Sequence, residues 1–280
     1  MTEFKSFYKT VGGNEGTLCN YPTRLDCYGC GCAHDCEYCY AKSLLGFRGL
    51  WNAQEPAVAD IAKIRRKVAK LKAGEIVRLG GMTDCFQPIE AKLGVAYETI
   101  KALNDAGVGY LIVTNSALIA TEKYMRVLDK DLAHIQVSIT ATDDKVAARY
   151  EKASLISQRI EAIERLQAAG YDVQIRLSPF IPQYVDIDKI NSIQCEKILV
   201  EFLRVNTFIR RTFDIDYSEY FIKRGNYYHM PLMRKLELLD MITIPNVSVC
   251  DDVPEHYKYF QTYINSNPND CCNLRRHTCK

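Results

Sequence analysis

Three thiols within one short loop constrain this chain more than any other feature. Cys32, Cys36 and Cys39 stand at spacing C-x3-C-x2-C inside the run from Gly31 to Tyr40. Thiolates are the soft ligands that iron–sulfur clusters need, and a cubane cluster has four irons, so three thiols leave one iron open to bind something else. A closed structural zinc site wants four donors, usually as two C-x2-C pairs, and the asymmetric spacing here does not match it. The open position has a use only if it faces a pocket, so the rest of the fold is expected to supply one.

With 280 residues, 48% of them hydrophobic, the chain can build one large α/β domain or two small ones around a buried core. It contains no apolar run long enough to span a bilayer, and Met1-Thr-Glu-Phe-Lys5 lacks the charged-then-apolar pattern of a secretory signal. The expectation is a soluble cytoplasmic protein with no membrane partner. In a reducing compartment, 12 cysteines point to metal or redox chemistry rather than to a disulfide framework. A net charge of +2 neither demands nor excludes a polyanionic partner, so any nucleic-acid contact has to come from a local patch.

Hydrophobic periodicity predicts strands alternating with helices. Thr23–Cys27 reads as a short first strand before the thiol loop, and Ala57–Leu71 as a surface helix with Pro56 in its first turn. Strands follow at 75–79, 110–114, 135–139, 172–177, 197–202 and 247–249, the fifth of these seven stopped by Pro179 and Pro182. Helices are expected over 93–106, 122–128, 155–169 and 232–241. Repeated β-then-α units argue for a parallel sheet covered by helices, because parallel neighbours need a crossover. Six or seven strands with polar residues at their C-terminal ends fit an α/β fold of partial (β/α)6 TIM-type barrel form. Residues 1–205 would form this core, and 206–280 an irregular, cysteine-containing extension that completes it on the substrate side.

The strand ends carry Thr83 and Asp84, then Thr114, Asn115 and Ser116, then Ser138 and Thr140, then Arg176 and Ser178. Converging on one mouth, they would suit a ligand bearing an amino group, a carboxylate and a ribose. Each alone is also an ordinary turn former.

Two patterns carry a resemblance. The C-x3-C-x-aromatic-C motif, with Tyr38 as the aromatic, resembles the signature of radical S-adenosylmethionine (SAM) enzymes. The ordered segments Gly31 to Ala41, Thr83-Asp84-x-x-Gln87-Pro88-x-Glu90, Thr114-x-Ser116, Val137-Ser-Ile-Thr140 and Arg176-Leu-Ser-Pro-x-Ile-Pro182 resemble the spore photoproduct lyase-like, or DNA repair photolyase-like, branch over about residues 20–205. The resemblance implies a [4Fe-4S] cluster on Cys32, Cys36 and Cys39, with SAM on the fourth iron. Reductive cleavage would then yield methionine and a 5′-deoxyadenosyl radical that abstracts a substrate hydrogen, with a flavodoxin or ferredoxin as reductant. It further implies Thr83 and Asp84 near the SAM amino group, Ser138 and Arg176 near its ribose or carboxylate, and Tyr38 beside the adenine, with Asn115, Ser116, Thr140 and Ser178 lining the same site.

Two departures stand out. Relatives often have Thr-Lys-Ser where this chain has Thr114-Asn115-Ser116, and the hydrogen-donating cysteine of the lyases is replaced by Gly81-Met82. The nearest thiol is Cys85; it and Tyr217 are the candidate catalytic residues.

Cys27 and Cys30 form a C-x2-C upstream, readable as a further ligand pair or as buried small residues. Beyond residue 205, Arg204, Arg210, Arg211, Lys223 and Arg224 interleave with Phe213, Tyr217, Tyr220, Tyr227, Tyr228 and His229. That mixture suits phosphate contact and base stacking, and equally a solvated face with aromatic anchors. Cys250, Cys271, Cys272 and Cys279 are candidate ligands of an auxiliary metal. Three functions follow: radical SAM chemistry on a nucleic acid or nucleotide, the same chemistry on a peptide, protein or small metabolite, or a non-catalytic iron–sulfur or zinc-binding interaction protein. Oligomeric state is not legible at this level.

Overall fold

The computed structural model describes residues 4–10 and 18–275. Its strands run in chain order β1 (Phe7–Lys9), β2 (Thr23–Leu25), β3 (Tyr28–Gly29), β4 (Ala57–Val58), β5 (Ile76–Leu79), β6 (Gly109–Thr114), β7 (Ala133–Ile139), β8 (Asp172–Phe180), β9 (Lys197–Phe202), β10 (Ile222–Arg224), β11 (Tyr227–His229) and β12 (Asn246–Val249). Eight of them form one sheet in the order β1-β2-β5-β6-β7-β8-β9-β12. From β2 to β12 every pairing is parallel, and only β1 is antiparallel to its neighbour. All seven expected parallel strands are present, and the sheet stays open rather than closing into a barrel.

Parallel strands buried on both faces read as continuous apolar runs, and β7 is buried along its whole length. Helix Ile156–Ala168 packs on β7 and β8 through Ile156, Ala162, Ile163 and Leu166. Among the described residues no helix is long and apolar enough to cross a membrane. The register sets Leu79 opposite Ile112, Thr114 opposite Val137 and Ser138 opposite Arg176, so the polar strand ends fall along one edge of the sheet.

Three expectations need correction. The helix expected from residue 57 begins at Ile61, because Asp60 accepts hydrogen bonds from the Ala62 and Lys63 amides, while Ala57–Val58 pairs with β3 instead. Strand β8 runs past Pro179 to Phe180, with a register shift between Leu177 and Phe180 that takes up the missing donor. The segment after residue 205 is more regular than expected: beside the expected helix Leu232–Asp240 and strand β12 it holds helices Thr207–Thr212 and Pro254–Tyr263 and the β10–β11 hairpin.

Candidate active site

The thiol loop is fastened on both flanks. Lys152 N donates to His34 O at 2.6 Å and Glu37 N to Tyr150 O at 2.9 Å, while Asn52 N donates to Cys30 O at 2.8 Å. Cys30 and Asp35 take positive φ, 54° and 46°, and the Asp35 carboxylate receives Lys42 at 2.6 Å and Lys152 at 2.8 Å. Cys39 caps helix Tyr40–Gly46, its sulfur accepting from Lys42 N at 3.4 Å.

Cys32, Cys36 and Cys39 all line one cavity at the C-terminal edge of the sheet. Burial, the largest cause, pushes all three thiols up, and for Cys36 the Glu151 carboxylate and the other two sulfurs push further. Two buried thiols and the half-buried Cys39, gathered beside a carboxylate, fit a cationic, thiophilic centre, which would favour their thiolates. Among the described residues no three Cys, His, Asp or Glu side chains meet around a single-ion position. A four-iron cube seats each thiolate on a separate corner and does not require them to meet.

Tyr38 and Asn115 border the sulfurs. Asn115 Nδ2 donates to Tyr38 Oη at 2.9 Å and lies 4.0 Å from Cys36 Sγ. The Tyr38 hydroxyl in turn donates to Glu151, whose carboxylate pairs with Arg159 and accepts from Thr140 Oγ1 at 3.1 Å. Arg159 also donates to Ser154 O at 2.8 Å and Ser138 O at 3.1 Å, and its side chain is fully buried. Sequence reading missed Glu151 and Arg159. The available signal was an arginine on the core-facing stripe of an amphipathic helix, where only a paired charge is tolerated.

Several expected ligand contacts are already satisfied by the protein. Asp84 lines the cavity, yet its carboxylate accepts from Phe86 N and Asn115 N, both at 2.7 Å, and from Thr114 Oγ1 at 2.9 Å, with His34 Nε2 at 3.0 Å. Burial pushes this carboxyl up, and the His34 and backbone hydrogen bonds outweigh it, holding the group below the usual range. Asp84 therefore ties the thiol loop to the ends of β5 and β6. The Thr83 hydroxyl turns to Tyr28 O. Ser116 caps the turn at Ala117–Ala120, and Thr140 is buried against Glu151 and Tyr150; neither lines the cavity.

The facing wall comes from β7, β8 and β9. Ser138, Arg176 and Ser178 line the cavity, and Arg176 is held by Gln136 at 2.7 Å and by Glu201. Ser178 Oγ donates to Glu201 at 2.9 Å, and Arg204 approaches the same carboxylate at 3.6 Å. Burial opposes ionisation of Glu201, but Arg176 and Arg204 prevail and hold it down at about 2. Glu201 escaped the sequence reading, although an acid inside Lys197-Ile-Leu-Val-Glu-Phe202 was the visible signal.

Both candidate catalytic residues fall outside the cavity. Cys85 lies in the core, its sulfur accepting from Cys27 N at 3.4 Å and donating to Leu25 O at 3.7 Å. The Tyr217 hydroxyl donates to Phe213 O and lies 3.3 Å from Ile209 O, and burial raises its pKa to about 12. Cys27 is buried against Cys85 and Thr99, and neither it nor Cys30 reaches the cavity.

The arginine- and tyrosine-rich segment borders the mouth through Ile209 and Tyr227. Arg210 stacks over Tyr217 and Tyr228 at 5.2 and 5.1 Å, and Arg204 over Tyr40 and Tyr227 at 5.8 and 5.9 Å. Of the expected auxiliary thiols, Cys250, Cys271 and Cys272 share a second cavity, while Cys279 lies outside the described residues.

Fold and site together define an open parallel α/β protein with a thiol loop and a polar cavity at the carboxyl edge of its sheet. A family model described as the radical SAM superfamily matches residues 27–188, and the chain belongs to that superfamily of enzymes. An uncharacterized protein of Mycobacterium tuberculosis is 24% identical over 166 residues, covering 56% of this chain and 49% of the relative. One of Methanocaldococcus jannaschii is 25% identical over 168 residues, covering 57% and 61%. The chain spans about half the length of the mycobacterial relative. A spore photoproduct lyase variant with bound AdoMet and dinucleoside spore photoproduct superposes with a TM-score of 0.61 at 16% identity, covering 83% of this chain and 77% of that one. A second spore photoproduct lyase, in complex with the dinucleoside, gives 0.59 at 16% identity, covering 82% and 76%. At such identity the likeness establishes the fold.

Proposed function

We propose that this chain holds a [4Fe-4S] cluster on Cys32, Cys36 and Cys39, binds SAM beside it, and acts on a nucleotide or nucleic acid. When bound, the pair would supply an electron-driven cleavage of SAM to methionine and a 5′-deoxyadenosyl radical that takes a hydrogen atom from the substrate. The protein's part is to position and shield. Asp84, through His34, Thr114 and the Asn115 amide, fastens the loop to the sheet. Glu151 and Asn115 fix the Tyr38 ring. Ser138, Ser178 and the Arg176–Glu201 pair offer a mixed set of donors and acceptors toward a ligand with amino, carboxylate and ribose groups. A flavodoxin- or ferredoxin-like protein would be the electron donor.

The observation that carries the reading is that the three thiols open on the same cavity as this polar wall. Anaerobic reconstitution with iron and sulfide, then reduction with SAM present, should release 5′-deoxyadenosine, and Cys36→Ala should abolish both the cluster chromophore and the release. A Cys36→Ala protein that still cleaves SAM would remove the assigned ligand set.

The nucleic-acid preference rests on the mouth. Arg210, Arg211 and Lys223 are exposed on the segment that reaches the mouth through Ile209 and Tyr227, Arg210 and Lys223 lie over tyrosine rings, and among the described residues the three make no ion pair. The spore photoproduct lyases of similar fold were solved with a dinucleoside bound. Oligonucleotide binding should weaken steeply with salt, and Arg210→Ala combined with Arg211→Ala should reduce the log–log slope by about 1 to 2. Binding that is flat with salt would favour a neutral metabolite.

A further inference from the structure

The thiols left over by the first site are gathered in one place by the fold. Cys19, Cys250, Cys271 and Cys272 line a second cavity together with Leu18, Leu199 and Tyr257. All four are free thiols. Cys271 and Cys272 belong to one buried cluster with Tyr21 and Tyr257, and Cys19 and Cys250 pack against it. The four come from three separate parts of the chain: the approach to β2, the residue after β12, and the tail.

Specific contacts build this juxtaposition. Tyr21 Oη donates to Asp270 at 2.6 Å, and Asn20 Nδ2 to Asn269 O at 2.6 Å, locking the Cys19 segment onto the tail. Cys272 N donates to the other Asp270 oxygen at 3.0 Å. Farther along, Lys197 Nζ donates to Asn273 O at 2.9 Å and Arg275 N to Asp172 at 2.8 Å. Tyr21 N and Arg24 donate to the Cys19 sulfur itself, at 3.4 and 3.9 Å, as hydrogen bonds to a ligating sulfur would. Arg78 and Arg176 line this cavity and the first one as well, so the two adjoin.

We propose that Cys19, Cys250, Cys271 and Cys272 ligate a second, fully coordinated [4Fe-4S] cluster beside the reaction cavity. Four thiolates complete the ligand set of a cube, and the carboxylates that also line the cavity, Asp251 and Asp252, are already paired with Lys235 and Arg204. Adjacent Cys271 and Cys272 are cramped as ligands of one ion, whereas a cube spreads them over two corners. All four thiols line this one cavity. Cys19 was not among the expected auxiliary ligands, and Cys279 lies outside the described residues.

The test separates this centre from the first. A Cys32→Ala/Cys36→Ala/Cys39→Ala full-length protein, purified anaerobically, should retain about four irons and four sulfides per chain, with a chromophore near that of a cubane cluster. Adding Cys19→Ser or Cys272→Ser should remove them, while Cys195→Ser, a thiol outside both cavities, should not. Zinc in place of iron, loss of all iron from a triple variant with intact circular dichroism, or no effect of Cys19→Ser would each overturn the assignment. If the triple variant does not fold, wild type should carry about eight irons and the Cys19→Ser/Cys272→Ser variant about four. An equal count in those two would refute the proposal and leave the first site untouched.

Discussion

Replacing Glu151 by alanine tests whether the tyrosine of the thiol loop is anchored by a buried charge pair. The carboxylate accepts from Tyr38, from Thr140 at 3.1 Å and from Arg159. The Arg159 and Glu151 side chains are 0% and 1% exposed, so no solvent takes over when one partner goes. Glu151→Ala leaves a guanidinium in the core with only the Ser138 and Ser154 carbonyls as acceptors. Breaking such a pair from one side costs about 3 to 5 kcal/mol, against about 0 to 1 for an exposed pair. Because a whole domain is stable by only about 5 to 15 kcal/mol, the loss should be plain in a denaturant titration. The assay is guanidinium unfolding of the cluster-free chain followed by circular dichroism, so that metal binding does not enter the balance. A Glu151→Leu/Arg159→Met protein removes both charges and should be more stable than Glu151→Ala by about 2 kcal/mol. A single variant that loses less than about 1 kcal/mol, or a double variant weaker than the single one, would refute the reasoning. Tyr38 lies between Cys36 and Cys39, so Glu151→Ala should also lower the iron retained after reconstitution.

Three further outcomes follow from the geometry. The Glu201 carboxyl, held down from 4.5 to about 2 against its burial by Arg176 and Arg204, contributes stability that is fully present above about pH 4.5 and lost as pH falls toward 2. The loss amounts to roughly 3 kcal/mol at most over that window, and Glu201→Gln should flatten this acid limb in unfolding measured from pH 5 downward. A Cβ on Gly31 would lie 1.9 Å from the Asn52 carbonyl oxygen, a backbone atom that cannot step aside. Gly31→Ala should displace the loop start and leave the protein unable to hold a full complement of iron; full iron retention would show that the loop moves freely there. Cys85→Ala should cost about 1 to 2 kcal/mol as a core truncation and leave deoxyadenosine release per folded chain unchanged, and a selective loss of turnover would return that thiol to the chemistry.

Much of the frame was legible from local pattern. The seven parallel strands announced themselves as short apolar runs, and the long helix Ile156–Ala168 by its 3.6-residue stripe, because burial of one face or both is written into nearest neighbours. Helix Pro254–Tyr263 was not, since it is stabilised by what it docks against rather than by strong periodicity.

For the site, the chain's own order determined the three-thiol loop and the row of polar residues at strand ends, since spacing and strand limits are properties of a linear string. Only tertiary structure decided which of those residues face the cavity. It turned Thr83, Ser116 and Thr140 onto protein partners, made Asp84 a clasp between loop and sheet, sank Cys85 into the core, and brought Glu151 and Glu201 to positions that no motif marks. It also set Cys19 beside Cys272. The physical reason is that a side chain's direction and its hydrogen-bond partner depend on sheet register and on segments up to 250 residues away, and a linear pattern carries neither.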